Sequence, residues 1–595
     1  MPVNLIESFP FGHYSSIRPP QIAALRGMEG VKGVIVRELP VGTGKTALGI
    51  TYLDALRKDG KTRLFYIAPN KAQVDQVKSL HPEVRVAYGR NEHDCLYYDN
   101  ETLRADEVPC SMLVDCPHRV DQLTGETHEE GAVPCPYLQQ KFEAKQMEGI
   151  VVCTHAFYLF TVLFSQEFAP EALVVDEVHK LARSIRSVLS TDITDWKLAR
   201  AIEVLDEVSS RQCEKLSQFL ADMKRLVKRN AMDKEVLLEE EQIKRLYDAL
   251  LRVSPSQLQQ DIRKAVTSGK LDKREDREVL KQVEDIVRSV RRFQHALKFA
   301  MSDMTKMGYP LNFVIAFGKT EMGPRDKVQY KITVKDYYVV PIIKKLLPED
   351  VFAYSATIGD PDYLSFETGI KGNFESLPSD FPIENARIYM PTDTLNLTVK
   401  SMGASKRPKA KMIRLMTRSA KRFANRGIRS LVIVASNEER LKFMMMAGEE
   451  GLDAITYGDD MPARECALRF RNGQSDCMVG TSAHFGEGID LPKQTAPVIF
   501  YLRPGYASPD DPQTQFEERR FGNRRWQLWN WRVMTELLQV RGRNVRSAED
   551  LGVTFLISQH FRRFAWGSLP PWLQPAYKGD KLFEECMKDA FKLLA

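Results

Sequence analysis

Short, fully apolar runs recur along two stretches of this chain, separated by a long segment with a different rhythm. Between residues 31 and 190 the runs are Gly33-Val34-Ile35-Val36, Arg63-Leu64-Phe65-Tyr66-Ile67, Ile150-Val151-Val152-Cys153 and Ala172-Leu173-Val174-Val175, with helical patterns between them. Such runs predict strands buried on both faces, as in a parallel sheet covered by helices. From 191 to 306 there is one glycine (Gly269) and one proline (Pro255), and apolar residues recur at helical spacing. Leu198, Ile202 and Leu205 show it, as do Val279, Val283, Ile286, Val290, Phe293 and Leu297. This predicts a helical insertion in which two long helices can pack as a hairpin. Strand-like segments return at Phe313-Val314-Ile315-Ala316 and Tyr330-Lys331-Ile332-Thr333-Val334. A second strand–helix series follows from about 375, with runs at Leu431–Val434, Cys477–Val479, Pro497–Tyr501 and Val553–Ile557. The predicted fold class is α/β: two parallel-sheet lobes, the first interrupted by insertions.

At 595 residues the chain is too long for one core, so several domains are expected. Its 43% hydrophobic and 28% charged content is that of a soluble globular protein. The formal charge of +6 is small for this length, so affinity for a polyanion has to come from local clusters of Lys and Arg. The chain shows neither a leader-like N-terminus nor an apolar stretch long enough to span a bilayer, which predicts a cytoplasmic protein without a membrane segment.

Three islands carry candidate chemistry. Pro40-Val41-Gly42-Thr43-Gly44-Lys45-Thr46 follows the first apolar run and precedes a helical pattern. Gly42, Thr43 and Gly44 let backbone N–H groups wrap phosphates at a helix N-terminus. Lys45 would reach the terminal phosphates and Thr46 would ligate Mg²⁺. The full pattern has glycine at 39, where this chain has leucine. Asp176 and Glu177 close an apolar run, where side chains emerge at the carboxyl edge of a parallel sheet. Asp176 would hold Mg²⁺ and Glu177 would orient the attacking water; a plain helix N-terminus is the bland alternative. Gln539, Arg543 and Arg546 are expected on one helix, with the two arginines on one face as candidate γ-phosphate contacts. A solvated basic face is the alternative there.

The motifs together resemble those of the XPD/DinG family of superfamily 2 helicases. Arg18-Pro19-Pro20-Gln21 looks like its adenine-reading element, Asp176-Glu177-Val178-His179 its DEAH-type box, and Tyr354-Ser355-Ala356-Thr357-Ile358 its third motif. Gly486-Glu487-Gly488-Ile489-Asp490-Leu491 looks like its fifth motif, and Leu569-Pro570-Pro571-Trp572-Leu573 its C-terminal signature. Ser558-Gln559-His560 departs from the acid and arginine common in relatives. The resemblance implies two RecA-like lobes, with an iron–sulfur domain and a mainly helical arch inserted in the first. The implied boundaries are 1–92, 137–190 and 346–374 for the first lobe, 93–136 for the cluster domain, 191–345 for the arch and 375–595 for the second lobe. It implies ATP bound by Arg18, Gln21, Gly42–Thr46, Gly488 and Asp490, with Lys45, Asp176, Glu177, Gln539, Arg543 and Arg546 in catalysis. It further implies a monomeric, nucleoid-associated 5′-to-3′ translocase on single-stranded DNA that opens duplexes or R-loops. A repair complex and a CRISPR ribonucleoprotein are both open as its setting. A nucleic-acid-binding recruitment module with a residual nucleotide switch is the alternative of another class.

Cys95, Cys110, Cys116 and Cys135 are four of only nine cysteines and have no Cys-x-x-Cys pair among them. Irregular spacing suits a 4Fe-4S cluster better than zinc, and the position matches the family's cluster domain; zinc and a ligand-free vestige are the alternatives. Residues 406–429 hold ten Lys or Arg and no acid, either a phosphate-binding run or a solvated helix face. Lys224, Arg225, Lys228, Arg229, Arg288, Arg291 and Arg292 are candidate channel lining. Trp526, Trp529 and Trp531 are candidates for base stacking or, more simply, for packing.

Overall fold

In this computed structural model all residues are described except 1–3, 99–101, 114, 147, 165–168, 230–234, 322–327, 399–404, 406, 459–460, 486–494, 543 and 546–547. The early apolar runs form strands β1 (Val34–Glu38), β2 (Arg63–Ala68), β3 (Arg85–Ala87), β4 (Gly149–Thr154) and β5 (Ala172–Val175). The insertion contributes β6 (Thr191–Thr194), β7 (Val236–Leu237), β8 (Phe313–Glu321) and β9 (Val328–Asp336). The chain then returns to the first sheet with β10 (Asp350–Ser355) and β11 (Asn373–Ser376). That sheet has the order β11-β1-β10-β5-β2-β4-β3, every pair parallel. Successive side chains go to opposite faces, and both faces are core. Ile35, Leu64, Tyr66, Val174 and Tyr354 pack on one; Val36, Phe65, Ile67, Val175 and Ala353 pack on the other. This is why the runs are continuously apolar.

The second lobe repeats the principle with β12 (Ala386–Tyr389), β13 (Ser430–Val434), β14 (Ala454–Ile455), β15 (Cys477–Thr481), β16 (Val498–Tyr501), β17 (Gly552–Leu556) and β18 (Tyr577–Lys578). Its order is β14-β15-β13-β16-β17-β12-β18. Two α/β lobes with a mainly helical insertion are thus the architecture.

The insertion is richer than its periodicity suggests. Helices Asp195–Leu205, Ser210–Arg229, Glu240–Leu251, Pro255–Thr267 and Arg277–Ser302 share one core with an antiparallel sheet, β6-β9-β8-β7. The expected hairpin is therefore a five-helix bundle, and two of its strands lie inside the segment read as purely helical. Thr191–Thr194 and Val236–Leu237 become strands because β9 and β8 present edges to them; so short a stretch cannot show strand periodicity by itself.

Candidate nucleotide site and interlobe cleft

The parallel register aligns three loops. Glu38 lies opposite Ser355 in the β1–β10 pair, and Ala353 opposite Val175 in the β10–β5 pair. The loops after β1, β5 and β10 therefore emerge together at the carboxyl edge of the sheet. The first enters helix Lys45–Lys58. Gly42 and Gly44 have φ of 89° and 78°, a region that favours glycine. A Cβ on Gly44 would lie 2.5 Å from Gln21 Nε2, so the glycine is needed on two counts. Gln21 is buried, and its Oε1 accepts from the Arg18 backbone N–H at 2.9 Å, while the Arg18 guanidinium donates to the Gly42 carbonyl. Leu39, the departure from the full glycine pattern, puts its side chain in the core. Only its carbonyl faces the site, 3.5 Å from Lys45 Nζ.

Asp176 and Glu177 follow β5. Glu177 has φ 48°, the one left-handed non-glycine among the described residues, and such conformations concentrate at functional sites. Burial, reinforced by the charge on Glu177, pushes the Asp176 carboxyl up. Burial acts the same way on Glu177, but the Lys45 charge, helped by the hydrogen bond from Ser355, outweighs it and holds that carboxyl down. Tyr66 donates to Asp176 Oδ2 at 3.2 Å, whereas buried Oδ1 has no hydrogen-bond partner. An acceptor oxygen left so in a buried site suits a cation, and Asp176 thus fits Mg²⁺.

A hydrogen-bond chain links the lobes at Glu177. Burial lowers the His179 pKa to about 3, so its ring is neutral. Gln539 Nε2–H, on helix Arg525–Arg541 of the second lobe, donates to His179 Nε2 at 2.8 Å, which leaves the ring proton on Nδ1. Nδ1–H then donates to Ser355 Oγ at 2.7 Å, and Ser355 donates to Glu177 Oε2 at 2.8 Å. Gln539 also donates to the same carboxylate oxygen at 3.2 Å. The sequence singles out both ends of this chain, but not His179 and Ser355 as its middle.

Glu38 was not legible as a site residue, and Trp531 only as a candidate for stacking or packing. Glu38, buried at the end of β1, accepts from the backbone N–H groups of Ile358 and Gly359 at 2.7 and 2.8 Å and from Ser376 at 2.6 Å. It thereby fixes the loop after β10 beside β1. Trp531 donates from Nε1 to the Ile358 carbonyl at 2.8 Å, so the second lobe grips that same loop. The only advance signal for Glu38 is an acid ending an apolar run. Gly542 is needed for the approach of the lobes, since a Cβ there would lie 2.7 Å from Val41 Cγ2.

Beside the cleft lies a buried ion network. Arg532 binds Glu367 at 2.8 Å and Glu517 at 2.8 Å, and Arg186 binds Glu367 at 2.5 Å. Arg186 also donates to the Tyr337 carbonyl at 2.8 Å, and the Tyr337 hydroxyl donates to Glu517 at 3.0 Å. First lobe, insertion and second lobe all contribute. An adjoining cavity of about 480 Å³ is lined by Lys180, Arg183, Arg186, Lys335, Glu536 and Gln539 among others, a mainly cationic wall suited to an anionic chain.

Other expected site residues fare differently. Gly488, Asp490, Arg543 and Arg546 lie outside the described residues. The helix expected to carry Gln539 with both arginines ends at Arg541. Burial lowers the Arg541 pKa to about 10, and its side chain lines the cleft with Val41 and Thr357. Lys406 of the basic run lies outside the described residues, and four of its ten members are ion-paired: Arg414 and Arg418 bind Glu450, Arg422 binds Glu584 and Lys409 binds Glu439. In the insertion, Arg225 binds Asp222 and Arg288 binds Glu284. Trp529 and Trp531 pack, with Trp529 donating to Glu517, while Trp526 keeps an exposed edge.

The four cysteines are half-buried thiols, and Cys95, Cys110 and Cys116 pack against a small apolar cluster of Tyr98, Val108 and Leu113. Burial first, and then the other cysteines of the set, push the Cys95, Cys110 and Cys116 thiols up. Their donors do not close to 4.8 Å as a group of three among the described residues. The region docks on the insertion through Ser111 N–H to Glu284 at 2.9 Å and Tyr98 hydroxyl to the Lys273 carbonyl at 2.8 Å.

Residues 423–576 match the family model described as the helicase C-terminal domain. A solved XPD helicase superposes with a TM-score of 0.59 at 15% identity, covering 93% of this chain and 97% of that one. S. tokodaii Xpd4 superposes with a TM-score of 0.56 at 12% identity, covering 95% and 100%. No curated protein matches the chain by sequence. No helix among the described residues is long and apolar enough to cross a membrane.

Proposed function

We propose that this chain, XPD/DinG-like and of superfamily 2 in its architecture, is an ATP-dependent DNA helicase. It would track 5′ to 3′ on single-stranded DNA and open duplexes or R-loops, within DNA repair or recruited to a CRISPR effector. The observation that carries this reading is the Gln539–His179–Ser355–Glu177 chain, because it ties the hydrolytic carboxylate to the position of the opposite lobe.

In this reading Gly42–Thr46 cradle the triphosphate, Lys45 meets its terminal phosphates, and Arg18 and Gln21 stand where the base is read. Thr46 and Asp176 would hold Mg²⁺, which supplies charge neutralisation at the phosphates. Ionised Glu177 orients the attacking water, and Gln539 registers closure. Gly488, Asp490, Arg543 and Arg546 complete the site from the second lobe. Residues 93–136 form the cluster domain, in which Cys95, Cys110, Cys116 and Cys135 would hold a 4Fe-4S cluster that staples loops with little core of their own. Residues 191–345 form the arch, and the cationic cavity between lobes and arch contributes to the strand path.

The test is strand displacement on 5′- and 3′-tailed duplexes by anaerobically purified protein. Unwinding confined to the 5′ tail and abolished in Lys45→Ala is expected. Unwinding from 3′ tails only, or unchanged in Lys45→Ala, would refute the reading.

A further inference from the structure

One cluster of ligating side chains lies apart from the cleft, where the N-terminal segment meets the first lobe. His81 is the C-cap of helix Lys71–Leu80 and is wholly buried; Glu83 follows two residues later. His13 sits on the turn in which its own N–H and that of Tyr14 bond the Pro10 carbonyl. His13 Nε2 lies 3.2 Å from Glu83 Oε2, and His81 Nδ1 lies 3.3 Å from Glu83 Oε1. One donor atom from each residue falls within 4.8 Å of the other two.

We propose that His13, His81 and Glu83 bind one divalent transition-metal ion of the zinc type, which clips the N-terminal segment to the first lobe. Zinc–nitrogen and zinc–oxygen bonds of about 2.0–2.1 Å place neighbouring tetrahedral ligands roughly 3.3–3.4 Å apart; each imidazole already stands that close to Glu83, His13 at Oε2 and His81 at Oε1, and binding draws one carboxylate oxygen and both rings together from within 4.8 Å. The remaining approach, between the two imidazoles, falls to His13 on an exposed turn. Two imidazoles with one carboxylate suit zinc, whereas calcium and magnesium take oxygen ligands. The Tyr14 hydroxyl lies 3.1 Å from His81 Nε2. That bond can take up the ring's N–H and leave Nδ1 free to ligate, the outer-shell arrangement common to metal-bound histidines. A cavity of about 670 Å³ borders His13 and Glu83 and gives water access to a fourth position. The clip would fasten the segment whose Leu5 and Phe9 enter the lobe's core and which leads into Arg18 and Gln21.

The test is a Co²⁺ titration of the full-length, chelator-treated chain, followed by visible absorption. The wild type should take up one equivalent with the d–d bands of a nitrogen–oxygen site and without thiolate charge transfer. His13→Ala and Glu83→Gln should each lose that equivalent while keeping any thiolate-type binding at the cysteines. Zn²⁺ should raise the thermal midpoint of the wild type by more than that of either variant, in which only the cysteines can take it up. Both substituted residues are exposed, so the metal-free midpoints should agree. A wild-type spectrum lacking the nitrogen–oxygen bands overturns the proposal and leaves three residues joined by hydrogen bonds alone. So do bands that persist unchanged in both variants. Neither result depends on nucleotide hydrolysis.

Discussion

Leu39 shows how a departure from a motif can leave its chemistry intact. The side chain belongs to the core and only the carbonyl meets Lys45. Leu39→Ala should therefore destabilise the fold by about 2–5 kcal/mol, read by denaturant melts, while nucleotide affinity stays within about twofold. Gln539 is the opposite case, since it contributes little to the core and touches both His179 and Glu177. Gln539→Ala should lower kcat for nucleotide hydrolysis far more than it changes KM, because the group orients Glu177 rather than binding substrate. An equal rise in KM with kcat unchanged would contradict that assignment. The sequence shows the acids and the glutamine because each sits in a short local pattern. His179 and Ser355 acquire their role only when residues 176 positions apart in the chain become neighbours, and no local pattern encodes that.

At the scale of elements, the parallel strands were legible because burial on both faces leaves an unbroken apolar run. Strands β6 and β7 were not, because they exist only by pairing with β9 and β8. The basic run was legible as a helix and ambiguous as a surface. What decides it is acids from elsewhere, Glu449 and Glu450 at the end of the next helix and Glu584 near the C-terminus. Arg418, already paired with Glu450, should contribute little to nucleic-acid binding. Arg418→Ala should leave the salt dependence of single-strand affinity unchanged, whereas loss of a true phosphate contact reduces the slope by about one. Its effect on stability should stay within about 1 kcal/mol, the range for an exposed pair.

At the scale of the molecule, the two lobes and the insertion meet at Arg186 and Glu367 from the first lobe, Tyr337 from the insertion, and Glu517 and Arg532 from the second lobe. Helix Arg525–Arg541 carries Arg532 and, seven residues on and about 10 Å along the axis, Gln539. The ion network therefore seats the helix that presents Gln539 to Glu177. Removing one member of a buried pair leaves uncompensated charge and costs about 3–5 kcal/mol. Arg532→Met should show that loss, together with weaker stimulation of hydrolysis by single-stranded DNA. The same node should set acid stability. Burial opposes ionisation of Glu367, but Arg532 and Arg186 outweigh it and hold its pKa at about 2 against an ordinary 4.5. A carboxyl depressed in the fold stabilises it fully above its unfolded pKa, and that contribution fades as pH falls from about 4.5 to about 2. It amounts to something on the order of 3 kcal/mol. Glu367→Gln cannot titrate, so its unfolding free energy should be flatter across that window. Parallel pH profiles for the wild type and Glu367→Gln would show that Glu367 is not held ionised by its two arginines, and the seat proposed for Gln539 would lose its electrostatic basis.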